Sequence, residues 1–263
     1  MSDVTCKLTN CRLTDTQLEA FQRDGYLVIP RWEYGESLKS LQGIAKRQLD
    51  AAAPPLELEA QLGYPGAPEA TSLFGSETPR RLLGAYQREP LWREFAVSDS
   101  MAVSLRQLFD DEDICLSQAH HNCLMTKSPR YSSDTGWHQD SRYWSFDRPE
   151  LITAWLALGE ETKKNGVLRV IPGSHRMKCK SSQFDSDLFF SANSDDNMSL
   201  ISEAKALSLS AGDLVFFHCK LLHSATRNTT EMTKLSLVFT YHRRNNRPLA
   251  GSRSASVAEI LLV

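Results

Sequence analysis

The segment Gly136-Trp-His-Gln-Asp140 sets an imidazole and a carboxylate two residues apart. In extended backbone, residues two apart point to one face, so His138 and Asp140 can reach one ion while Trp137 and Gln139 point elsewhere. A third ligand has to come from another strand. Leu214-Val-Phe-Phe-His-Cys-Lys-Leu-Leu-His223 offers two, His218 and His223. Two imidazoles and one carboxylate on one face of an octahedral ion leave the remaining positions open. That arrangement suits non-haem iron(II), which must take up a bidentate cosubstrate and then dioxygen. Four closed ligands would defeat such chemistry, and a His-x-Asp triplet by itself is a weak signal that needs context.

The elements that must position these residues change character along the chain. Leu13 to Gly25 has Leu18, Ala20 and Phe21 at helical spacing, with Thr14 or Asp15 as N-cap and Gly25 as the stop. A strand is expected at Tyr26 to Ile29, and a second helix from Glu36 to Ala53, ended by Pro54-Pro55. The Gly-, Pro- and Ala-rich stretch to Pro79 reads as an irregular loop, and Pro90 to Phe109 is again helical. From Ile114 onward short apolar runs separated by turns predict strands at 114–126, 151–158, 167–171, 206–209, 213–217 and 234–242. Helices first and strands afterwards imply a single α+β catalytic domain over 1–263, mainly β, with a helical flank over 13–110 and an antiparallel sandwich or barrel core over 114–245. The Ser-, Asp- and Asn-rich segment 178–197 around Phe189-Phe190 reads as a long mobile loop, a plain surface excursion or a lid.

Bulk composition excludes several classes of function. Of 263 residues 41% are apolar and 24% charged, which is ordinary globular composition. Net charge is -2 with basic residues scattered, so no nucleic-acid footprint is visible. Six cysteines form no Cys-x-x-Cys pair, which excludes a zinc ribbon and fits free thiols in a reducing compartment. The polar start and the lack of any membrane-length apolar run point to a cytoplasmic protein with a small-molecule substrate and neither membrane nor nucleic acid as partner.

After the His-x-Asp come Asn165-Gly166-Val-Leu-Arg-Val-Ile-Pro172-Gly173-Ser174-His175, then Gly212-Asp213-Leu-Val-Phe-Phe-His218, then His223. In that order these motifs resemble the phytanoyl-CoA dioxygenase family of iron(II)/2-oxoglutarate oxygenases. The likeness extends over most of Leu13 to His242 and is sharpest in Trp137 to His175 and Gly212 to Tyr241. It implies a double-stranded β-helix, the jelly-roll or cupin-like fold. It also implies His138, Asp140 and His223 as the iron ligands, so His223 is preferred to His218. His218 and His175 are then structural. Alternation puts His120 and His121 on opposite faces of one strand, so that one alone can face the bore. Taking Lys127-Ser128-Pro129 as the family's usual Lys-Pro element directs His121, Cys123 and Met125 inward.

The resemblance further implies 2-oxoglutarate as cosubstrate, with dioxygen, and a cation for its far carboxylate eleven residues past the distal histidine. That residue is Lys234, where the family usually has arginine, so a point charge replaces a planar fork. Lys234, Ser236 and Thr240 share one strand face, and Leu235, Leu237, Phe239 and Tyr241 share the other. Arg227 is a competing anchor, and Lys234 has the alternative of an exposed edge-strand residue. Ala225 stands where the family often has serine. Trp155 matches a tryptophan of the cosubstrate pocket, and Gln139 and Trp137 flank the ligands. The implied reaction is hydroxylation of an unactivated C–H bond with succinate and carbon dioxide as co-products; the Asp140 carboxylate argues against halogenation. For substrate, Arg142, Tyr143, Trp144 and Phe146 follow the ligands and suit a molecule with an apolar body and an anionic group, with Arg130, Tyr131, Arg243 and Arg244 as further contacts. Two rival readings are a cupin-like metalloprotein that does not use 2-oxoglutarate and a non-catalytic jelly-roll binding module.

Overall fold

The computed structural model describes residues 12–68, 74–192 and 194–263; Cys6 and Cys11 lie outside them. Helix α1 (Asp15–Asp24) begins where Thr14 and Gln17 cap each other's backbone and ends at Gly25, whose φ of 79° lets the chain turn into strand β1 (Tyr26–Ile29). Helix α2 (Gly35–Ala51) follows, burying Leu41, Ile44 and Ala45. The stretch expected to be irregular contains a hairpin, β2 (Leu56–Leu58) and β3 (Pro79–Leu83). Its Arg-Arg pair and flanking prolines gave no alternation to read, because both strands lie at one end of a sheet and bury charge.

Helices α3 (Ala85–Arg88), α4 (Pro90–Ala96) and α5 (Asp99–Phe109) come next, the last capped by Ser98. The expected helical stretch from Pro90 is thus two helices, broken where the Ser98 side chain bonds the Met101 N–H. Strands β4 (Ile114–Lys127), β5 (Thr135–His138), β6 (Leu151–Ala157), β7 (Leu168–Val170), β8 (Lys205–Ala206), β9 (Leu214–His218), β10 (His223–Ala225), β11 (Lys234–Arg243) and β12 (Ile260–Leu261) complete the sheets. Helix α6 (Asp195–Ser202) starts inside the segment read as a loop. There Phe190 packs against Phe184 and its N–H meets the Trp137 carbonyl at 2.6 Å.

All pairings are antiparallel. The larger sheet runs β1-β9-β6-β11-β4-β3-β2, with β12 on β4, and the smaller runs β5-β10-β7-β8. Helices cover the outer face of the larger sheet, where Leu237, Phe239 and Tyr241 of β11 meet Trp92, Phe95 and Leu105 in one core. The Tyr241 hydroxyl donates to the Ala96 carbonyl at 2.8 Å. A second core lies between the sheets, from Trp155, Val215, Phe217 and Val238 on one side to Leu168 and Val170 on the other. With both faces covered, every residue of β6 is buried, which is why its sequence is almost continuously apolar. The exceptions on inward faces, Lys234, Ser236 and Thr240, are polar residues in a central strand; Lys234 lines the cavity between the sheets, while Ser236 bonds Glu161 and Thr240 bonds Thr153. Among the described residues no helix is long and apolar enough to cross a membrane.

Candidate active site

The site is assembled where the short strands of the smaller sheet end. β5 finishes at His138, but Gln139 keeps extended backbone (φ -116°, ψ 125°), so the alternation carries through to Asp140 at the start of a 3-10 turn. β10 begins at His223, which lies directly opposite His138 in the antiparallel pair. One ligand atom from each of His138, Asp140 and His223 falls within 4.8 Å of the other two. Each histidine Nε2 lies close to Asp140 Oδ1, at 3.7 Å from His138 and 3.8 Å from His223. His218 faces elsewhere: its ring packs on His175 and its Nδ1 accepts from the Lys220 N–H at 3.0 Å.

The tautomers follow from the neighbours. His138 Nδ1 is 2.9 Å from the Gly136 carbonyl, and His223 Nδ1 is 2.9 Å from the Leu221 carbonyl. A carbonyl only accepts, so each Nδ1 carries the proton and each Nε2 offers a lone pair toward Asp140. Burial, together with His223, holds His138 well below the usual histidine range, so the ring stays neutral as a ligand must. Burial alone would raise Asp140, and its Oδ2 has no hydrogen-bond partner although buried. An unpartnered buried carboxylate oxygen is a costly arrangement unless a cation joins it. The donor set therefore fits a divalent ion with an open hemisphere, of the iron(II) type.

Two cavities meet at the triad. The inner one, about 550 Å³, runs between the sheets from His121, His138 and His223 to Lys234, with Trp155, Met125, Leu168, Ser224, Ala225, Arg81 and Lys127 along its walls. The outer one, a cleft of about 830 Å³, opens over His138 and Asp140 between Tyr64, Tyr143, Trp144 and Phe189, with Arg253 at its wall. Lys234 is buried in a central strand and points inward, not an edge residue in solvent. Its Nζ is 3.0 Å from Glu161 Oε2 and 3.3 Å from Ser236 Oγ, and lies over the Trp155 ring at 4.8 Å. Ser236 and the Trp155 indole N–H both donate to Glu161 Oε1, at 2.6 Å and 3.0 Å. Arg227 is held at the surface by Asp134 and does not reach the cavity.

Other expected contacts are redistributed. The Gln139 amide donates to the Lys220 carbonyl at 2.6 Å, and the residue lines neither cavity. His121 lines both cavities, with Nδ1 3.8 Å from Asp140 Oδ2. As alternation implied, His121 alone of the pair lines the inner cavity, but His120 also reaches the outer cleft, stacked on Trp144 at 4.8 Å. The reason is a bulge: β11 pairs Phe239 with Asn122 but Thr240 with Ser117, so 118–121 loop out of the ladder and escape its alternation. Tyr143 and Trp144 line the cleft, whereas Arg142 lies over the Phe184 ring and Phe146 packs on Leu151 and Cys219. Arg130 pairs with Glu231, Arg243 with Glu150 and Asp111, and Arg244 with Asp113, while Tyr131 stands beside Gly75; none lines the cleft. Sequence reading missed Glu161, Arg80, Arg81, Tyr64 and Phe189. For Glu161 the only local signal was an acid just past a fully buried strand.

A double antiparallel sheet carrying two histidines and one aspartate around an open position defines the class of mononuclear metal enzymes built on a cupin-like jelly-roll. Residues 21–236 match the model of the family described as phytanoyl-CoA dioxygenase. The chain belongs to the phytanoyl-CoA dioxygenase family. Among its relatives, an ectoine dioxygenase of Sphingopyxis alaskensis is 27% identical over 248 residues, covering 88% of this chain and 76% of that protein. Phytanoyl-CoA dioxygenase 1 of Oryza sativa is 22% identical, covering 86% and 87%. The crystal structure of EctD from S. alaskensis with 2-oxoglutarate and 5-hydroxyectoine superposes with a TM-score of 0.74 at 23% identity, over 90% of this chain and 78% of that one. It shares the fold.

Proposed function

We propose that this protein is an iron(II)- and 2-oxoglutarate-dependent dioxygenase that hydroxylates an unactivated C–H bond of a small or medium-sized organic molecule, with succinate and carbon dioxide as co-products. The observation that carries the reading is the convergence of His138, Asp140 and His223 within 4.8 Å at the junction of two cavities. Names of relatives support it: ectoine dioxygenase, phytanoyl-CoA dioxygenase, and a structural neighbour holding 2-oxoglutarate.

His138, Asp140 and His223 would hold iron(II), which when bound supplies the activation of dioxygen that protein side chains lack. The two backbone carbonyls at Gly136 and Leu221 fix the imidazoles in the ligating tautomer. The inner cavity takes the cosubstrate, its keto-acid head toward the triad and its tail toward Lys234. The outer cleft takes the substrate, whose reacting carbon faces His138 and Asp140 between the aromatic walls of Tyr143, Trp144 and Phe189. Anaerobic titration of the iron(II) protein with 2-oxoglutarate tests the reading. A visible metal-to-ligand charge-transfer band is expected, and its absence at saturating concentrations would exclude this function.

A further inference from the structure

The cation at the far end of the inner cavity is already paired. Lys234 is 5% exposed, and Glu161 and Ser236 are fully buried beside it. Lysine carries three N–H donors. Here one goes to Glu161 and one to Ser236, leaving one for a ligand. Glu161 does not depend on Lys234 for its place, because Trp155 and Ser236 both donate to its other oxygen. A fixed, fully buried carboxylate thus stands 3.0 Å from the ammonium that would receive the cosubstrate's second carboxylate.

Arg80 and Arg81 beside the cavity repeat the pattern, whereas Lys127, also in its lining, has a backbone carbonyl and, among the described residues, no acid as partner. Arg80 has Glu59 and Glu57, each at 3.4 Å, with Ser133 and Thr135 on its remaining donors. Arg81 has Glu57 at 3.7 Å. Lys127 donates to the Ser133 carbonyl. Three acids, Glu57, Glu59 and Glu161, therefore offset the cations Arg80, Arg81 and Lys234. An incoming anion is attracted by the receiving cation but repelled by the fixed acid beside it, so the net attraction falls.

Resting on the functional reading above, we infer that Glu161 sets cosubstrate selectivity: by neutralising Lys234 it weakens the hold on the second carboxylate. The site then binds 2-oxo acids chiefly by their chelating head. Monocarboxylic 2-oxo acids, whose tails need no cation, compete on near-equal terms with 2-oxoglutarate. Glu161 is a positioning and selectivity residue; it touches the anchor rather than the reacting atoms.

The test is anaerobic titration of the iron(II) protein with 2-oxoglutarate and with 2-oxobutyrate, which has the same head and no second carboxylate, following the charge-transfer band of each. Wild-type protein should prefer 2-oxoglutarate by no more than about tenfold, an energy difference of roughly 1.4 kcal/mol. A larger preference overturns the inference. Glu161→Gln keeps one carbonyl oxygen to accept from Trp155 and Ser236 and replaces the oxygen facing Lys234 by an uncharged NH2, which frees that ammonium, so it should tighten 2-oxoglutarate by about tenfold or more and leave 2-oxobutyrate unchanged. Equal or weaker 2-oxoglutarate binding in a folded Glu161→Gln protein also overturns it. No band with either acid rejects the functional reading itself, a different result from a band with the wrong selectivity. If the variant does not fold, the wild-type comparison decides alone.

Discussion

His138 and His223 face each other across the β5–β10 pair with ring centroids 4.1 Å apart, although 85 residues separate them in sequence. The contact is set by strand register, so a slip of one residue would move one imidazole to the opposite face. It also separates the two histidines that local sequence left open. His223→Ala should lower iron(II) affinity by more than about a hundredfold, and His218→Ala should leave it within about threefold of wild type. Anaerobic iron(II) titration of both variants measures this, and equal losses would contradict the assignment.

Asp140 is the one carboxylate of the triad, and its Oδ2 has no hydrogen-bond partner. Asp140→Ala should abolish coupled succinate release while leaving the melting temperature unchanged or raised, because a buried carboxylate without a partner costs stability in the metal-free protein. Retained turnover would show that Asp140 is not an essential ligand.

Lys234 and Glu161 form a fully buried pair. Lys234→Ala leaves the acid uncompensated and should cost about 3–5 kcal/mol in unfolding free energy. Lys234→Met with Glu161→Met should recover most of that loss, since removing both charges avoids the penalty of burying one. Urea denaturation of the single and double variants gives the comparison. In the single variant 2-oxoglutarate affinity should fall much further than iron(II) affinity.

Lys127 gives a pH signature. Burial, reinforced by Arg80, pushes its ammonium down from 10.5 to about 7. Between those values the unfolded chain binds more protons than the folded one, so this lysine makes stability rise with pH across that window. Below it both states are protonated and the full cost of burying the charge is present. Lys127→Met should therefore be more stable than wild type by about 1–3 kcal/mol near pH 6.5, with the gap closing toward pH 10. A gap that widens with pH would refute the assignment.

Gly25 closes helix α1 in the left-handed region, and a Cβ there would lie 2.3 Å from His175 Nδ1. Gly25→Ala should cost about 1–3 kcal/mol through backbone strain and displacement of the buried imidazole. Thermal unfolding measures it, and a neutral substitution would show that the His175 packing is loose.

Local physics alone determined the cap residues of helix α1, the strand at Tyr26–Ile29, the shared face of Lys234 and Ser236 on β11, and the shared face of His138 and Asp140. Each depends only on neighbours a few residues away, through cap chemistry or a period of two. Tertiary structure decided the rest. Which histidine completes the triad depends on the register of β10 against β5, and both His120 and His121 reach the cleft because β4 bulges against β11. That Lys234 meets an acid rather than an empty cavity depends on Glu161, 73 residues earlier, being packed beneath Trp155. Buried charge and strand pairing are properties of long-range neighbours, and no window of sequence contains them.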